Sequence, residues 1–306
     1  MATLHSTPTF PPLGRTIAWP FTRSVADLVR ERYSCRAYLR DPLAPDLVQQ
    51  ITELGHAVSV GPFGAPLRFE LTAATDEERN SLRGLGTYGL IRDPSGFLSG
   101  VVGPGKRNME DFGFALETLV LYLTNFELGT VWLGGNFTRS AFSDRIGQRR
   151  DEILPAVIAT GYPNGEYRQH DRLRPQVRAD SRRPWETLFL EADFRTPLTR
   201  DTAGAYTLPL DMLRLAPSAV NGQPWRVIRD GTHFHFYVQR STRGRAAQSF
   251  FSGLPDLQRV DVGIAMAHFA LTASELHLTG AWVVQEPELR QPANAMEYLS
   301  TWTAAT

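Results

Sequence analysis

Three short segments of this 306-residue chain carry groups whose type and spacing could do chemistry. The first is Arg32-Tyr33-Ser34-Cys35-Arg36. In an extended segment, positions i, i+2 and i+4 point the same way, so two guanidinium groups flank a hydroxyl on one face. Such a set suits a phosphate or another anion, each charge-assisted hydrogen bond contributing about 1.5–3 kcal/mol. Read alone, an arginine pair in a loop is more often a solvated surface. The second segment runs from Ala216 to Trp225 and includes Pro217, Ser218, Ala219, Asn221, Gly222, Gln223 and Pro224. Small residues between two prolines let the backbone approach something flat, while Asn221 and Gln223 can satisfy backbone groups or a ligand. A rigid turn leading into a strand is the plainer reading. In the third, Leu128–Asn136, a buried strand opens into Gly134 and Gly135, exposing N–H groups that suit a ring nitrogen or oxygen. A glycine turn before a helix starting at Thr138 fits equally well.

Other chemistries are disfavoured. His233-Phe-His235 has alternating polar and apolar faces, and a metal there lacks a third ligand. Gly103-Pro-Gly105-Lys106 has neither the spacing nor the hydroxyl of a phosphate loop. No Gly-x-Gly-x-x-Gly follows a strand and no Gly-x-Ser-x-Gly is present, which argues against a Rossmann-type nicotinamide site and a serine hydrolase. Cys35, the single cysteine, has no nearby histidine to activate it and cannot form a disulfide within the chain.

These segments need elements to position them. Ser24-Val-Ala-Asp27 reads as a helix cap, with Val25, Leu28 and Val29 at helical spacing and an end near Arg32. A second helix starts at Pro45 and stops at Gly55. Strands are expected at 68–73 and 97–102, a nearly all-apolar central helix at 108–128, and short buried segments at 131–133 and 156–161. The polar, arginine-rich stretch 164–183 follows. Further on come a helix at 209–215, strands at 225–229 and 233–239, a long helix at 260–278 and a strand at 281–284.

The second set repeats the first. Asp111-Phe-Gly113-Phe-Ala115 aligns with Asp261-Val-Gly263-Ile-Ala265, and in the same register Leu128 meets Leu278 and Trp132 meets Trp282. Pro66-Leu-Arg68-Phe69 matches Pro224-Trp-Arg226-Val227. This is one α+β unit duplicated, too long in period for a solenoid, so two halves can pack as a covalent dimer. The expected division is an extended arm at 1–23, a first half at 24–196 and a second at 197–306.

Hydrophobic residues make up 42% and charged residues 21%, with a formal net charge of zero, which gives no footprint for nucleic acid. The most apolar stretch, 112–133, carries Glu117, Asn125 and Glu127 and reads as a buried helix, not a membrane span. The N-terminal residues lack the pattern of a signal peptide, and with the lone cysteine this points to the cytoplasm.

Taken in order, the segments resemble the nitroreductase superfamily, most closely the subgroup of the Thermotoga type in which two nitroreductase-like halves share one chain. Arg32-x-Ser34-x-Arg36 resembles the family's opening motif, and Pro217-Ser218-Ala219-x-Asn221-x-Gln223-Pro224-Trp225 its Pro-Ser-Ser-x-Asn-x-Gln-Pro-Trp. Segment 126–134 resembles the helix–strand junction, 155–163 the strand before the C-terminal part, and Arg182-Arg183-Pro184 its basic end. The resemblance implies an α+β nitroreductase-like fold, an intramolecular pseudo-dimer, and FMN between the halves. It places Arg32 and Ser34, helped by Arg182, at the phosphate or ribityl chain, and Arg36 nearer the pyrimidine edge. Gly134 and Gly135 would face the flavin N5 edge, Pro217, Ser218, Ala219 and Asn221 would pack from the other half, and Gly86–Gly89 with Tyr88 would line the pyrimidine side. The first half has Gly61–Pro66 where the second motif belongs, and the second half lacks the first motif, so one site per chain is expected. The implied activity is transfer of hydride from NAD(P)H through FMN to a small acceptor such as a nitroaromatic or quinone, with no catalytic side chain and a monomeric chain. A flavin-storage protein without turnover, and a different flavin reaction such as desaturation or oxygen-dependent flavin fragmentation, are the alternatives.

Overall fold

The computed structural model describes residues 21–74, 82, 85–240, 255–289 and 296–305; most of the expected N-terminal arm lies outside them. In chain order the first half comprises α1 (Val25–Glu31), α2 (Pro45–Ala57), β1 (Leu67–Ala73), β2 (Gly96–Val102), α3 (Asn108–Asn125), β3 (Gly129–Leu133), α4 (Arg139–Arg145) and β4 (Val157–Gly161). The connecting stretch holds short helices α5 (Leu173–Gln176) and α6 (Trp185–Leu188), then β5 (Phe189–Glu191) and α7 (Arg200–Ala203). Next come α8 (Thr207–Arg214), β6 (Trp225–Asp230), β7 (His233–Gln239), α9 (Leu257–Glu275), β8 (Gly280–Val283) and β9 (Met296–Ala304).

The strands form two sheets, in the orders β1-β2-β4-β3 and β5-β6-β7-β9-β8. Without β5 the two orders are the same, so the repeat read from residues is a repeat of topology. The added strand β5 runs parallel to β6, pairing Phe189 with Val227, while the other ladders are antiparallel. Phe189–Glu191 therefore belongs by sheet to the second unit, although the sequence division places it in the first. The expectation also missed β9. Its residues 298–302 are all buried, so neither face shows the polar alternation that marks a half-exposed strand.

Helices α3 and α9 cross at the centre, and a single hydrophobic core runs through both halves. Two glycines make the crossing possible. A Cβ on Gly113 would lie 2.2 Å from the Val260 carbonyl oxygen, and one on Gly263 would lie 2.3 Å from that of Glu110. The contacts are reciprocal in the register of the repeat, as they are across the two-fold axis of a dimer. The helix ends match too. Glu127 and His277 sit in the left-handed region, and Leu128 and Leu278 donate back to Leu123 and Ala273.

Two local expectations are corrected. Gly55 does not stop α2; it packs against the Phe69 backbone and the helix continues to Ala57. Ser24 makes no side-chain cap to α1. Instead, the carboxylate of Glu275, at the end of α9, accepts from Val25 N at 2.8 Å and Ala26 N at 3.4 Å. A partner so distant in sequence cannot be read from a local capping pattern.

Candidate functional site

Helix α1 ends at Arg32, and the chain then runs extended beside β3: Ser34 bridges to Thr130 and Cys35 N donates to the Thr130 carbonyl. This pairing carries Arg32, Ser34 and Arg36 to the same sheet edge that β3 leaves through Gly134. From the other half, α8 hands the chain to Pro217, and Ala219 N donates to Asp261 on α9 at 3.0 Å. These pieces enclose a cleft of about 590 Å³. Arg32, Ser34, Arg36, Gly134, Gly135, Arg182, Pro217, Ser218, Ala219 and Asn221 all line it, whereas Gly86–Gly89 and Gln223 do not.

Their states differ. Arg32 has a side chain only 5% exposed, yet its guanidinium makes no hydrogen bond among the described residues, and its Nε is a buried atom without a partner. The nearest carboxylate oxygen, of Glu117, stands 3.9 Å away. Burial holds this guanidinium below its usual pKa, with Arg174 adding repulsion against the opposing pull of Glu117. Arg182 is lowered likewise by burial and then by Arg32; among the described residues it donates only to the carbonyls of Ala179, Ser181 and Leu215, and its Nε is also orphaned. Three guanidinium groups thus converge on one end of the cleft, where Asp180 also lines the wall and pairs with Arg174. Arg36 is different, because its Nη1 donates to Asp171 at 2.7 Å, a neutralising partner that the sequence reading missed.

A Cβ on Gly135 would meet nothing within 4 Å, so its backbone is open, whereas one on Gly134 would strike Leu257 of α9. Asn221 lines the cleft, but its amide donates to Arg178 and Ser181 carbonyls and its oxygen accepts from Gln223. Gln223 in turn accepts from Arg183 N. The two amides fasten the 217–224 turn to the first half's arginine-rich stretch. The turn is strained: Val220, Asn221 and Gln223 all have positive φ, and Val220, a β-branched residue, is 81% exposed at the cleft. Loop 86–91 reaches the lining through Leu90 and Ile91, not through Tyr88, which is exposed.

The equivalent place in the repeat is filled. Asp111 accepts from Phe63 N and Ala65 N much as Asp261 accepts from Ala219 N, but Phe63 packs edge-on against Trp282, at 6.4 Å between ring centroids. Sequence reading also missed Tyr33 with Arg168 stacked 4.2 Å from its ring centroid, and Val260 and Ile264 of α9. The helix itself was expected, but the only sequence sign that it reaches the site was the repeated aspartate. In chemical terms the cleft offers a cationic end, an open glycine backbone and a flat turn.

The family model "Putative TM nitroreductase" matches residues 24–273. Among solved structures, a "putative nitroreductase" from Thermotoga maritima is similar over both halves, with a TM-score of 0.56 at 18% identity, covering 94% of this chain and 95% of that one. Shorter chains match about half of it. A "putative nitroreductase in complex with fmn" from Desulfovibrio desulfuricans covers 46% of this chain and 87% of its own, with 22% identity and a TM-score of 0.37. A "Putative NADH Oxidase" from Clostridium acetobutylicum covers 45% and 89%, with 18% identity and a TM-score of 0.36. No curated protein matches the sequence. Since the family model extends from the start of the first half to the last turns of α9, the chain belongs to the "Putative TM nitroreductase" family.

Proposed function

We propose that the cleft holds one FMN per chain and that the protein is an FMN-dependent oxidoreductase, using NAD(P)H to reduce a small acceptor such as a nitroaromatic or a quinone. The observation that carries this reading is Arg32: a guanidinium buried at the end of a cleft, without a hydrogen bond, beside Arg182. A buried donor set left unmade is costly, and a phosphate is the anion that two or three convergent guanidinium groups fit. The cleft volume lies in the range of about 300–1,000 Å³ typical of small-molecule sites.

On this reading Arg32 and Arg182, with Arg174 behind them, hold the phosphate, and Ser34 adds a hydroxyl from the same strand face. Gly135 leaves room for close backbone approach to the ring, and Pro217–Ala219 close the cleft from the second half. Arg36 presents a positive charge tempered by Asp171. Asn221 and Gln223 brace the turn and do not touch the ligand. Bound FMN supplies hydride transfer through its N5 between a nicotinamide and an acceptor. The side chains bind, orient and keep water from the ring; none needs to move a proton.

Purified protein should be yellow, with one flavin per chain, and should oxidise NAD(P)H when menadione or a nitrofuran is supplied. Arg32→Ala and Ser218→Trp, one change in each half, should each abolish FMN retention. Two flavins per chain, or FMN retained in both variants, would overturn the single split site. A yellow protein without acceptor-dependent turnover would leave a flavin carrier in place of an enzyme.

A further inference from the structure

Beneath the cleft, Glu117 of α3 meets His268 of α9, both wholly buried. Glu117 Oε1 lies 2.8 Å from His268 Nε2, and Oε2 accepts from Trp132 Nε1 at 2.7 Å. On its other side His268 Nδ1 stands 3.0 Å from the Met212 carbonyl oxygen of α8. Both ring nitrogens therefore face oxygen atoms of other helices. Glu117 Oε1 is also the carboxylate oxygen nearest Arg32, whose Nε lies 3.9 Å from it, beyond hydrogen-bonding reach. One carboxylate oxygen thus faces both His268 and Arg32, and the histidine is the closer.

In a medium of low polarity, an orphaned guanidinium beside a free carboxylate should close onto it. The open Arg32–Glu117 gap therefore needs a competitor, and His268 is in the position of one. Arg174 and Arg182, the other charges facing Arg32, only repel it. The arrangement serves one cleft only. In the register of the repeat Ala267 replaces Glu117, and the buried indole N–H of Trp282, the counterpart of Trp132, has no partner among the described residues.

We propose that His268 is a positioning residue: by occupying Glu117 Oε1 it keeps that carboxylate from capturing Arg32 and leaves the guanidinium free for the ligand's phosphate. The second half thereby sets the binding state of a residue in the first. The inference rests on the cleft being a flavin-nucleotide site.

The test titrates flavin-free protein with FMN and with riboflavin, which lacks the phosphate, following flavin fluorescence. His268→Leu should raise the Kd for FMN about 10- to 100-fold, the worth of one charge-assisted hydrogen bond, and leave the riboflavin Kd unchanged. Adding Glu117→Gln to that variant should restore FMN binding to near the wild-type value, because the captor has lost its charge. His268→Gln, which keeps a donor toward Glu117, should retain most of the affinity. Equal weakening of both flavins, or no recovery on adding Glu117→Gln, would show that His268 only packs and would overturn the proposal. Wild-type protein that binds neither flavin overturns the flavin reading itself; wild-type binding that is unaltered by His268→Leu overturns only this inference.

Discussion

Arg32 is a cation removed from water with a carboxylate 3.9 Å away and no hydrogen bond among the described residues, a deficit that an anion relieves. Ligand binding to the folded state alone adds stability by mass action, about 2.7 kcal/mol at a ligand concentration a hundredfold above Kd. FMN should accordingly raise the melting temperature of the flavin-free protein, and Arg32→Ala should remove most of that increment, measured by calorimetry. A second residue-scale expectation concerns the twin aspartates. Burial pushes Asp261 up to about 8 and Asp111 up to about 7, against the pull of the loop N–H groups they accept from. In the unfolded chain both titrate near about 3.9. The folded state therefore holds protons that the unfolded state has released. Their stabilising contribution is complete below about pH 4 and is lost as pH rises toward about 7–8. Asp261→Asn should flatten the fall in urea midpoint between about pH 5 and about pH 8; an unchanged slope would show that Asp261 is ionised in the fold. At this scale the sequence was readable where chemistry is local. Arg32, Ser34, Pro217 and Ser218 announce themselves by spacing within a few residues. Glu117 and His268 do not, since a single polar residue within an apolar helix carries no mark of the partner it meets on another helix.

Elements were largely visible because each half alternates apolar helices and short strands bounded by Gly and Pro. What escaped depended on distant partners: β9, whose buried faces hide its period, and β5, whose neighbour β6 comes later in the chain. The cap of α1 escaped for the same reason. Glu275 supplies negative charge to the N-terminus of the helix whose other end delivers Arg32. Glu275→Ala should destabilise the fold by about 1 kcal/mol, as the loss of a cap does elsewhere, and should weaken FMN binding through α1 although it is remote from the cleft. The α3–α9 crossing is less tolerant. Gly263→Ala places a methyl against the Glu110 carbonyl and should lower stability by about 3 kcal/mol or more, whereas Gly165→Ala, facing open space, should change little.

At the scale of the whole molecule, the shared core implies that the halves do not unfold separately. Calorimetric and van't Hoff enthalpies should agree for a single transition, while two resolved transitions would show independent units. The order in which the chain is made adds a different constraint. Helix α3, buried along nearly all its length, is synthesised well before α9, the helix that covers it. For the time a ribosome needs to make everything between them, at roughly 5–20 residues per second, a long apolar surface with an ionisable Glu117 at its middle has no mate. A fused dimer never waits to find its partner by diffusion, yet its first half is born sticky. Until α9 emerges, the first half should therefore aggregate more readily than the finished chain.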